Sequence, residues 1–219
     1  MKYKAIIFDF DGVILDSVNI KTQAFEAMYL PYGKEVAKKV RKHHLLNGGI
    51  SRYKKLRHYH QDFLGIDLTD NEVERMAQEF SNLVFRKVLE SPFITGADLF
   101  LQSYGNKLSL FVATGTPQNE IEQIIRSRNL TQYFVSVHGS PTSKESIIEN
   151  ILLRHELRTK DVLFVGDAMT DYIAAQQSNI DFIGVSSDLT SFPKSTVIIK
   201  NLTELKVIFD ETLQHMNRM

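Results

Sequence analysis

Residues 5–17 read AIIFDFDGVILDS, an apolar, β-favouring run that ends in two aspartates one residue apart and a glycine. Near-continuous apolar runs of this kind are typical of strands buried on both faces of a parallel sheet. Side chains two positions apart on a strand point to the same side, so the carboxylates of Asp9 and Asp11 are predicted to converge. Converging carboxylates repel each other and resist burial unless a cation or a proton compensates them. The stretch therefore predicts a buried strand that ends at a functional site.

Further apolar runs extend this strand into a sheet. Strong runs lie at residues 108–115, 161–167 and 181–185, and shorter ones at 134–139 and 196–200. Helical patterns separate most of them, with isoleucines or leucines recurring on one face. Strands that alternate with helices predict an α/β fold, an open parallel sheet with helices on both faces.

Residues 18–90, which lie between the first two strong strands, show helical patterns only. Thr69 and Glu72 have the spacing of a capping box, and a repeating apolar face follows them. Ser51 is placed to cap another amphipathic helix. The pattern indicates an all-helical block inserted directly after the first strand.

We interpret this insertion as a second, smaller domain. The predicted division is a helical domain over residues 17–91 and an α/β core domain over residues 1–16 and 92–219. The predicted hinges lie near Asp16–Ser17 and at residues 90–96, where a proline and a glycine interrupt the chain.

The composition of the 219 residues is that of a globular protein, with 43% hydrophobic and 24% charged residues. Lys plus Arg and Asp plus Glu both number 26, so no net field favours nucleic acid or a membrane surface. The absence of cysteine excludes disulfides and thiol chemistry. Apolar stretches are far shorter than the ~20 residues of a membrane span, and the first residues lack a signal-peptide pattern. We expect a cytoplasmic monomer whose partner is a small molecule, with no nucleic-acid or membrane partner.

The other predicted strands end in residues of matching chemistry. Thr114 and Gly115 follow one strand, Asp167 and Asp171 follow another, and Lys144 lies near the start of a helix between them. Taken singly, each is better explained as a helix cap, a turn residue or a surface charge. Together they supply carboxylate ligands, an ammonium, a hydroxyl and a free backbone N–H where ligands of α/β sheets bind. Such a set matches the needs of Mg²⁺ and a phosphoryl group.

These segments resemble the four motifs of the haloacid dehalogenase-like hydrolase superfamily. They are DFDGVILDS at residues 9–17, ATGTP at 113–117, SK at 143–144 and GDAMTD at 166–171. They occur in the family's order over residues 5–185, and the greatest similarity is to the phosphatases with a small helical cap, the phosphoglycolate phosphatase and β-phosphoglucomutase type. The combination of four ordered motifs is specific.

The resemblance implies that Asp9 is the nucleophile and forms an aspartyl-phosphate. It implies that Asp11 protonates the leaving alcohol and then activates the hydrolytic water. The acid at position 11 also favours phosphoester chemistry over dehalogenation, because an alkoxide leaving group needs a proton and a halide does not.

The resemblance also implies a ligand set. A Mg²⁺ ion is expected on the Asp9 carboxylate, the Asp11 main-chain carbonyl and Asp167, with Asp171 supporting the metal or positioning the lysine. Thr114, Gly115 and Lys144 are expected to bind the phosphoryl group. The chain departs from the family where Ser178 and Asn179 replace an Ala-Gly pair, and Asn tolerates the left-handed conformation expected there.

Residues 34–60 are strongly basic, with nine Lys or Arg, a single acid and four histidines. Most of these side chains are predicted to form a solvated helix face. Arg52 and Lys55 differ, because the Gly48-Gly49 turn before them could direct them into the cleft between the domains. We treat both as candidate substrate contacts, which favours a small phosphomonoester that is additionally anionic or polyhydroxylated.

The leading hypothesis is a Mg²⁺-dependent phosphatase for a small sugar or organic-acid phosphate. A phosphomutase that uses the same aspartyl-phosphate remains an alternative, because the core motifs cannot separate the two. A phospho-acceptor signalling module combines similar residues, but such modules place the acceptor after a middle strand and carry no helical insertion of this size.

Overall fold

The computed structural model describes the backbone of residues 2–216 and the side chains of residues 2–211. Strands and helices alternate over most of this part of the chain. The strands are β1 (Ala5–Phe8), β2 (Ser109–Pro117), β3 (Ser136–Ser140), β4 (Val162–Gly166), β5 (Asp181–Val185) and β6 (Val197–Ile199). The α-helices are α1 (Val18–Tyr29), α2 (Lys34–Leu46), α3 (Arg52–Leu64), α4 (Asp70–Glu90), α5 (Ala97–Tyr104), α6 (Gln118–Ser127), α7 (Lys144–Arg154), α8 (Met169–Gln177) and α9 (Leu202–Met216).

The strands form one parallel sheet in the order β3-β2-β1-β4-β5-β6, which confirms the fold predicted from the apolar runs. β1 lies between β2 and β4, and Ile7 pairs with Phe111 on one side and Phe164 on the other. The chain therefore moves outward from β1 in one direction and later returns to add β4 on the other side. Ligands of open α/β sheets bind at the carboxyl ends of strands where this reversal occurs.

Alternate residues of β1 pack on opposite faces of the sheet. Ile6 and Phe8 belong to an apolar cluster that includes residues of α5, α6 and α9, whereas Ala5 and Ile7 pack with residues of α7 and α8. Because both faces are covered by helices, all four side chains of β1 are fully buried. This explains why the strand is apolar throughout and does not alternate between apolar and polar residues.

Helices α1 to α4 form the block inserted between β1 and β2, as the helical patterns predict. Phe25, Val40 and Leu56 belong to the same apolar cluster as Ile6 of the sheet, so the block packs continuously with one side of the core. The capping box at Thr69 is present, and α4 begins at the next residue. No helix in residues 2–216 is both long enough and apolar enough to cross a membrane.

The two segments that connect this helical block to the sheet lie side by side. The backbone N–H of Asp16 donates to the carbonyl of Pro92 at 2.9 Å, and the N–H of Ile94 donates to that of Ile14 at 3.0 Å. The two regions predicted as hinges are thus hydrogen-bonded to each other. The division into two domains at these segments stays a prediction.

Asn179 follows the end of α8 with φ of 54°, in the left-handed region. This is the conformation expected for an asparagine that replaces glycine at a helix end, and it brings the chain directly into β5.

Replacing Phe100 by alanine is expected to cost about 3–5 kcal/mol of unfolding free energy, because it opens a cavity in the core. The Phe100 ring is fully buried, lies 5.9 Å from the ring of Phe8 and stacks on Tyr104 at 4.8 Å. Urea unfolding measures the change.

Leu99→Ala is the matched control on the same helix, because Leu99 is 54% exposed. The control is expected to change stability by less than about 0.5 kcal/mol. Similar losses in the two variants would contradict the packing described for α5.

Candidate active site

Asp9 directly follows β1 and is buried, with 2% of its surface exposed. Its backbone N–H donates to the carbonyl of Val165 at 2.9 Å, which holds it beside the end of β4. The chain then turns at Gly12, whose φ is 79°, and a Cβ there would overlap the carboxylate of Asp167. The glycine after the two aspartates is therefore required both for the turn and for the close approach of a third acid.

Asp9, Asp167 and Asp171 bring one carboxylate oxygen each to within 4.8 Å of one another. Asp167 follows β4, and Asp171 lies in the first turn of α8, where it accepts a hydrogen bond from the N–H of Ala168 at 3.0 Å. Burial, reinforced by the charge of Asp9, raises the pKa of Asp167 well above its ordinary value. Burial likewise raises the pKa of Asp171 to about 7. This crowding of hard oxygen ligands suits a dication.

Lys144, the first residue of α7, is buried against the same cluster. Its Nζ lies 2.9 Å from Asp9 Oδ2 and donates to Asp171 Oδ1. Burial alone would lower the pKa of this ammonium, but Asp171 and Asp9 outweigh burial and raise it. Lys144 is therefore held as a cation beside Asp9.

Thr114 and Gly115 lie in the carboxyl-terminal half of β2 and line the cavity that contains Asp9. They also border a neighbouring cavity of about 170 Å³ that includes Lys144. A Cβ on Gly115 would overlap the carbonyl of Gly49, so this glycine allows the helical block to approach the sheet. The structure thus brings the predicted phosphate-binding residues to one place.

Asp11 also lines the cavity with Asp9, but its carboxylate has different partners. Lys21 Nζ donates to it at 2.5 Å, Ser17 Oγ at 2.5 Å and Thr116 Oγ1 at 2.9 Å. Burial opposes the charge of Asp11, but Lys21 and these hydrogen bonds outweigh burial and lower the pKa of Asp11. β1 ends at Phe8, so the side-chain alternation of a strand does not extend to Asp11. Asp11 pairs with Lys21, whereas Asp9 pairs with Lys144.

Lys21 and Thr116 are functional candidates that the motif analysis missed. Lys21 is only 8% exposed and lies three and four residues before Ala24 and Phe25 on the buried face of α1. A lysine within an apolar helical stripe was the available signal, because a buried ammonium needs a partner.

The cavity has a volume of about 90 Å³ and lies between the sheet and the helical block. The carboxyl ends of the strands and the loops after them contribute Asp9, Asp11, Thr114, Gly115, Thr116, Asp167 and Ala168. The helical block contributes Val18, Lys21, Phe25, His44, Leu45, Gly48, Gly49, Ile50, Arg52, Lys55 and Phe80. Thr170 Oγ1 also donates to the carbonyl of Gly48 at 2.5 Å, which fixes the Gly48-Gly49 turn against the start of α8.

The two candidate substrate contacts of the helical block both line this cavity, but their surroundings differ. Arg52 donates to the two carboxylate oxygens of Glu120 on α6 at 2.7 and 2.8 Å, and its guanidinium lies over the ring of Phe80. Lys55 contacts the imidazole of His44 at 2.9 Å. Burial, reinforced by Lys21, lowers the pKa of Lys55 to about 7. Contact of either side chain with a substrate stays a prediction.

Residues 6–185 match the family model described as haloacid dehalogenase-like hydrolase, so the chain belongs to this family. This confirms the resemblance seen in the four motifs. The chain is 26% identical over 185 residues to the phosphorylated carbohydrates phosphatase of Thermotoga maritima, covering 82% of this chain and 83% of that one. It is 25% identical over 195 residues to the phosphoglycolate phosphatase of Photorhabdus laumondii, covering 84% of this chain and 80% of that one.

The fold is similar to that of a β-phosphoglucomutase from Clostridium difficile, with a TM-score of 0.75 and 17% identity over 98% of this chain and 99% of that one. At this identity the similarity shows the fold alone. The family match and the relatives named phosphatases confirm the prediction of an enzyme of the phosphoric monoester hydrolase class.

Mg²⁺ is expected to raise the melting temperature if the three acids bind it. At a concentration about 100 times the dissociation constant, the expected rise is about 5–10 °C. Differential scanning fluorimetry with and without Mg²⁺ measures the shift, and Asp167→Asn is expected to remove most of it.

Asp67→Asn is the control for this experiment, because Asp67 is exposed and outside the cluster. It should keep the wild-type response. An equal Mg²⁺ shift in Asp167→Asn would show that the ion binds elsewhere.

Arg52→Met is expected to destabilise the protein by about 3–5 kcal/mol, because it leaves the buried carboxylate of Glu120 without its partner. Arg52 and Glu120 are 4% and 8% exposed at their side chains. The double variant Arg52→Met/Glu120→Leu is expected to recover most of this loss, because it buries no unpaired charge. Urea unfolding of both variants measures the coupling.

The matched surface pair is Arg41 and Glu26, joined at 2.8 Å with side chains 44% and 35% exposed. Arg41→Met is expected to cost at most about 1 kcal/mol, because solvent screens an exposed pair. Simple additivity of Arg52→Met and Glu120→Leu would contradict a buried, coupled ion pair.

Proposed function

We propose that this protein is a Mg²⁺-dependent phosphatase that hydrolyses a small phosphomonoester, a sugar or organic-acid phosphate, through an aspartyl-phosphate on Asp9. The observation that carries the proposal is the surroundings of Asp9. Its buried carboxylate lies 2.9 Å from the ammonium of Lys144, and carboxylate oxygens of Asp167 and Asp171 lie within 4.8 Å. These contacts support the assignment of Asp9 as the nucleophile, Lys144 as the cation for phosphoryl oxygens and the three acids as metal ligands.

The first half of the reaction transfers the phosphoryl group to the protein. An Asp9 oxygen forms a bond to phosphorus while the bond from phosphorus to the ester oxygen breaks. Asp11 gives its proton to the departing alkoxide. In this proposal Lys144 neutralises charge on the phosphoryl oxygens, and the hydroxyl of Thr114 donates a hydrogen bond to them.

The second half returns Asp9 to its free form. Asp11, now ionised, takes a proton from a water molecule whose oxygen attacks phosphorus, and the bond from Asp9 to phosphorus breaks. The contact of Lys21 favours the ionised carboxylate of Asp11, which is the form that activates water. The proton taken from water leaves Asp11 ready for the next transfer. Because the contact with Lys21 favours the ionised form, that pair has to loosen for Asp11 to hold this proton.

The acids at the strand ends suit Mg²⁺ on chemical grounds. Asp9, Asp167 and Asp171 offer oxygen ligands only. Burial raises the pKa of Asp167 and of Asp171, and at Asp167 the charge of Asp9 adds more to this effect than Lys144 removes. A bound Mg²⁺ would compensate the negative charge of these acids and supply positive charge for the phosphoryl oxygens. The residues present therefore fit this ion.

The size of the cavity and the names of the relatives support a small substrate. The cavity that contains Asp9 has a volume of about 90 Å³. Relatives of this chain are named for phosphorylated carbohydrates and for phosphoglycolate.

The balanced charge and the absence of cysteine support the cytoplasm as the compartment.

Phosphate release from a panel of phosphomonoesters, measured with Mg²⁺ and with a chelator, tests the proposal. The wild type is expected to release phosphate from at least one small ester only when Mg²⁺ is present. Asp9→Asn is expected to lower this rate by at least about 10³-fold, because it removes the nucleophile. Asp67→Asn is the isosteric surface control and should retain the wild-type rate.

Product analysis separates the related activities. A hexose phosphate converted to its isomer without free phosphate would indicate a phosphomutase. A phospho-aspartate that persists for minutes without turnover would indicate a signalling module. No release from any ester, with Mg²⁺ and folded protein, would refute the proposed phosphatase.

A further inference from the structure

Two histidines of the helical block meet where α2 packs against α3. His43 lies in the last turn of α2, and His58 lies in the middle of α3. Their ring centres are 4.2 Å apart, and the ring planes are tilted by 34°. Both side chains are partly exposed, so solvent can reach them. We refer to these two residues as the histidine pair.

One nitrogen of each ring in the histidine pair is held by a neighbouring side chain. His58 Nδ1 lies 2.5 Å from Asp62 Oδ2, one turn further along α3. His43 Nδ1 lies 3.3 Å from the hydroxyl of Tyr59. Among the residues whose side chains the structure describes, neither Nε2 has a hydrogen-bond partner. Each imidazole therefore has one nitrogen fixed and one nitrogen available.

This arrangement is typical of histidines that bind a metal ion. A ligating imidazole usually donates its other N–H to a carboxylate or another acceptor, which fixes the tautomer and orients the ring. Because an ionised carboxylate only accepts, Asp62 places the proton of a neutral His58 on Nδ1 and leaves the lone pair on Nε2. Burial, with His58 and Lys55 nearby, lowers the pKa of His43, so that ring is neutral at neutral pH.

The other two histidines of residues 34–60 have different surroundings. His44 and His60 are buried, with 7% and 2% of their surfaces exposed. Lys55 Nζ contacts His44 Nδ1 at 2.9 Å, and the hydroxyl of Tyr29 contacts His60 Nδ1 at 2.7 Å. An ion from solvent would have to open the block to reach either ring, whereas it can reach the histidine pair directly.

The spacing of the histidine pair needs little change to hold one ion. Two imidazoles that bind the same ion at about 2.0–2.1 Å with tetrahedral geometry have ring centres roughly 5 Å apart. The observed distance is 4.2 Å, so the ring centres must separate by about 1 Å. Rotation of the two side chains can supply this separation, with Tyr59 and Phe63 bordering the rings at 5.3 and 5.1 Å between centres.

We propose that His43 and His58 bind one divalent transition-metal ion through their Nε2 atoms, with Asp62 orienting His58, and that this ion joins α2 to α3. Imidazole ligands suit Zn²⁺, Cu²⁺ and Ni²⁺, whereas the carboxylates around Asp9 suit Mg²⁺. The two sites therefore take ions of different classes. Binding at the histidine pair does not depend on the proposed phosphatase activity.

An ion at the histidine pair would hold together two helices that border the cavity with Asp9. His44, which directly follows His43, lines that cavity, and so does Lys55, which lies one turn before His58. Because the ion would bind the folded block and not the separated helices, it is expected to raise the melting temperature.

Calorimetric titration with Zn²⁺ tests the site in the Asp167→Asn variant, in which binding at the acidic cluster is weakened. One ion per chain is expected at the histidine pair. Asp62→Asn leaves both ligands and is expected to weaken binding by about 10-fold, because it removes the partner that orients His58. His43→Gln and His58→Gln each remove a ligand and are expected to weaken binding by more than this.

His155→Gln is the matched control, because it makes the same substitution at an exposed histidine beyond the end of α7. It should bind Zn²⁺ as tightly as its parent. Circular dichroism confirms that each variant is folded. Differential scanning fluorimetry is expected to show a Zn²⁺-dependent rise in melting temperature that His58→Gln abolishes and His155→Gln keeps.

The ligands themselves are checked with Cu²⁺, whose electron paramagnetic resonance spectrum reports coordinated imidazole nitrogens. Two such nitrogens in the parent and at most one in His43→Gln or His58→Gln support the site. Absence of Zn²⁺ binding to the parent overturns it. Equal affinities in the parent, His43→Gln and His58→Gln also overturn it, because the ion then binds elsewhere in the chain.

Discussion

The ammonium of Lys144 lies buried between the carboxylates of Asp9 and Asp171, and the remainder of the site depends on this ion pair. Acids of two strand ends meet at the centre of the sheet, and without a cation they would repel one another. One ammonium does not balance three carboxylates, as the raised pKa of Asp167 indicates. The net negative charge that remains makes the cluster suitable for a dication, and with it for a phosphoryl group. A bound dication would therefore reduce the repulsion among the buried carboxylates and also attract a phosphoryl group.

The helical block takes part in the site as well as covering it. Its Lys21 pairs with Asp11, whereas Asp9 pairs with Lys144. The two acids therefore have different partners, although only one residue separates them in the chain. The buried pair of Arg52 and Glu120 joins the block to α6 of the core. Because these contacts bridge the two parts, movement of the block would alter both the volume of the cavity and the partner of Asp11.

The sheet and the motif residues could be predicted from the sequence because local patterns encode them. A strand buried on both faces must be apolar throughout, and all six apolar runs became strands. Thr69 capped its helix as the local spacing predicts, since a helix start needs acceptors for its free N–H groups. Asp9, Thr114 and Asp167 followed from their places at strand ends, because parallel strands bring their carboxyl ends to one edge, and Lys144 followed from its place near the start of a helix.

The sequence by itself determined the fold class, the helical insertion and the residue types that meet at the strand ends, because hydrophobic period and local capping are properties of neighbouring residues. Only the tertiary structure decided how the charges are paired. Lys21 with Asp11, Arg52 with Glu120 and Lys55 with His44 are contacts between residues distant in the chain or on different elements. A pairing of this kind depends on distance and burial in three dimensions, which spacing along the chain does not specify.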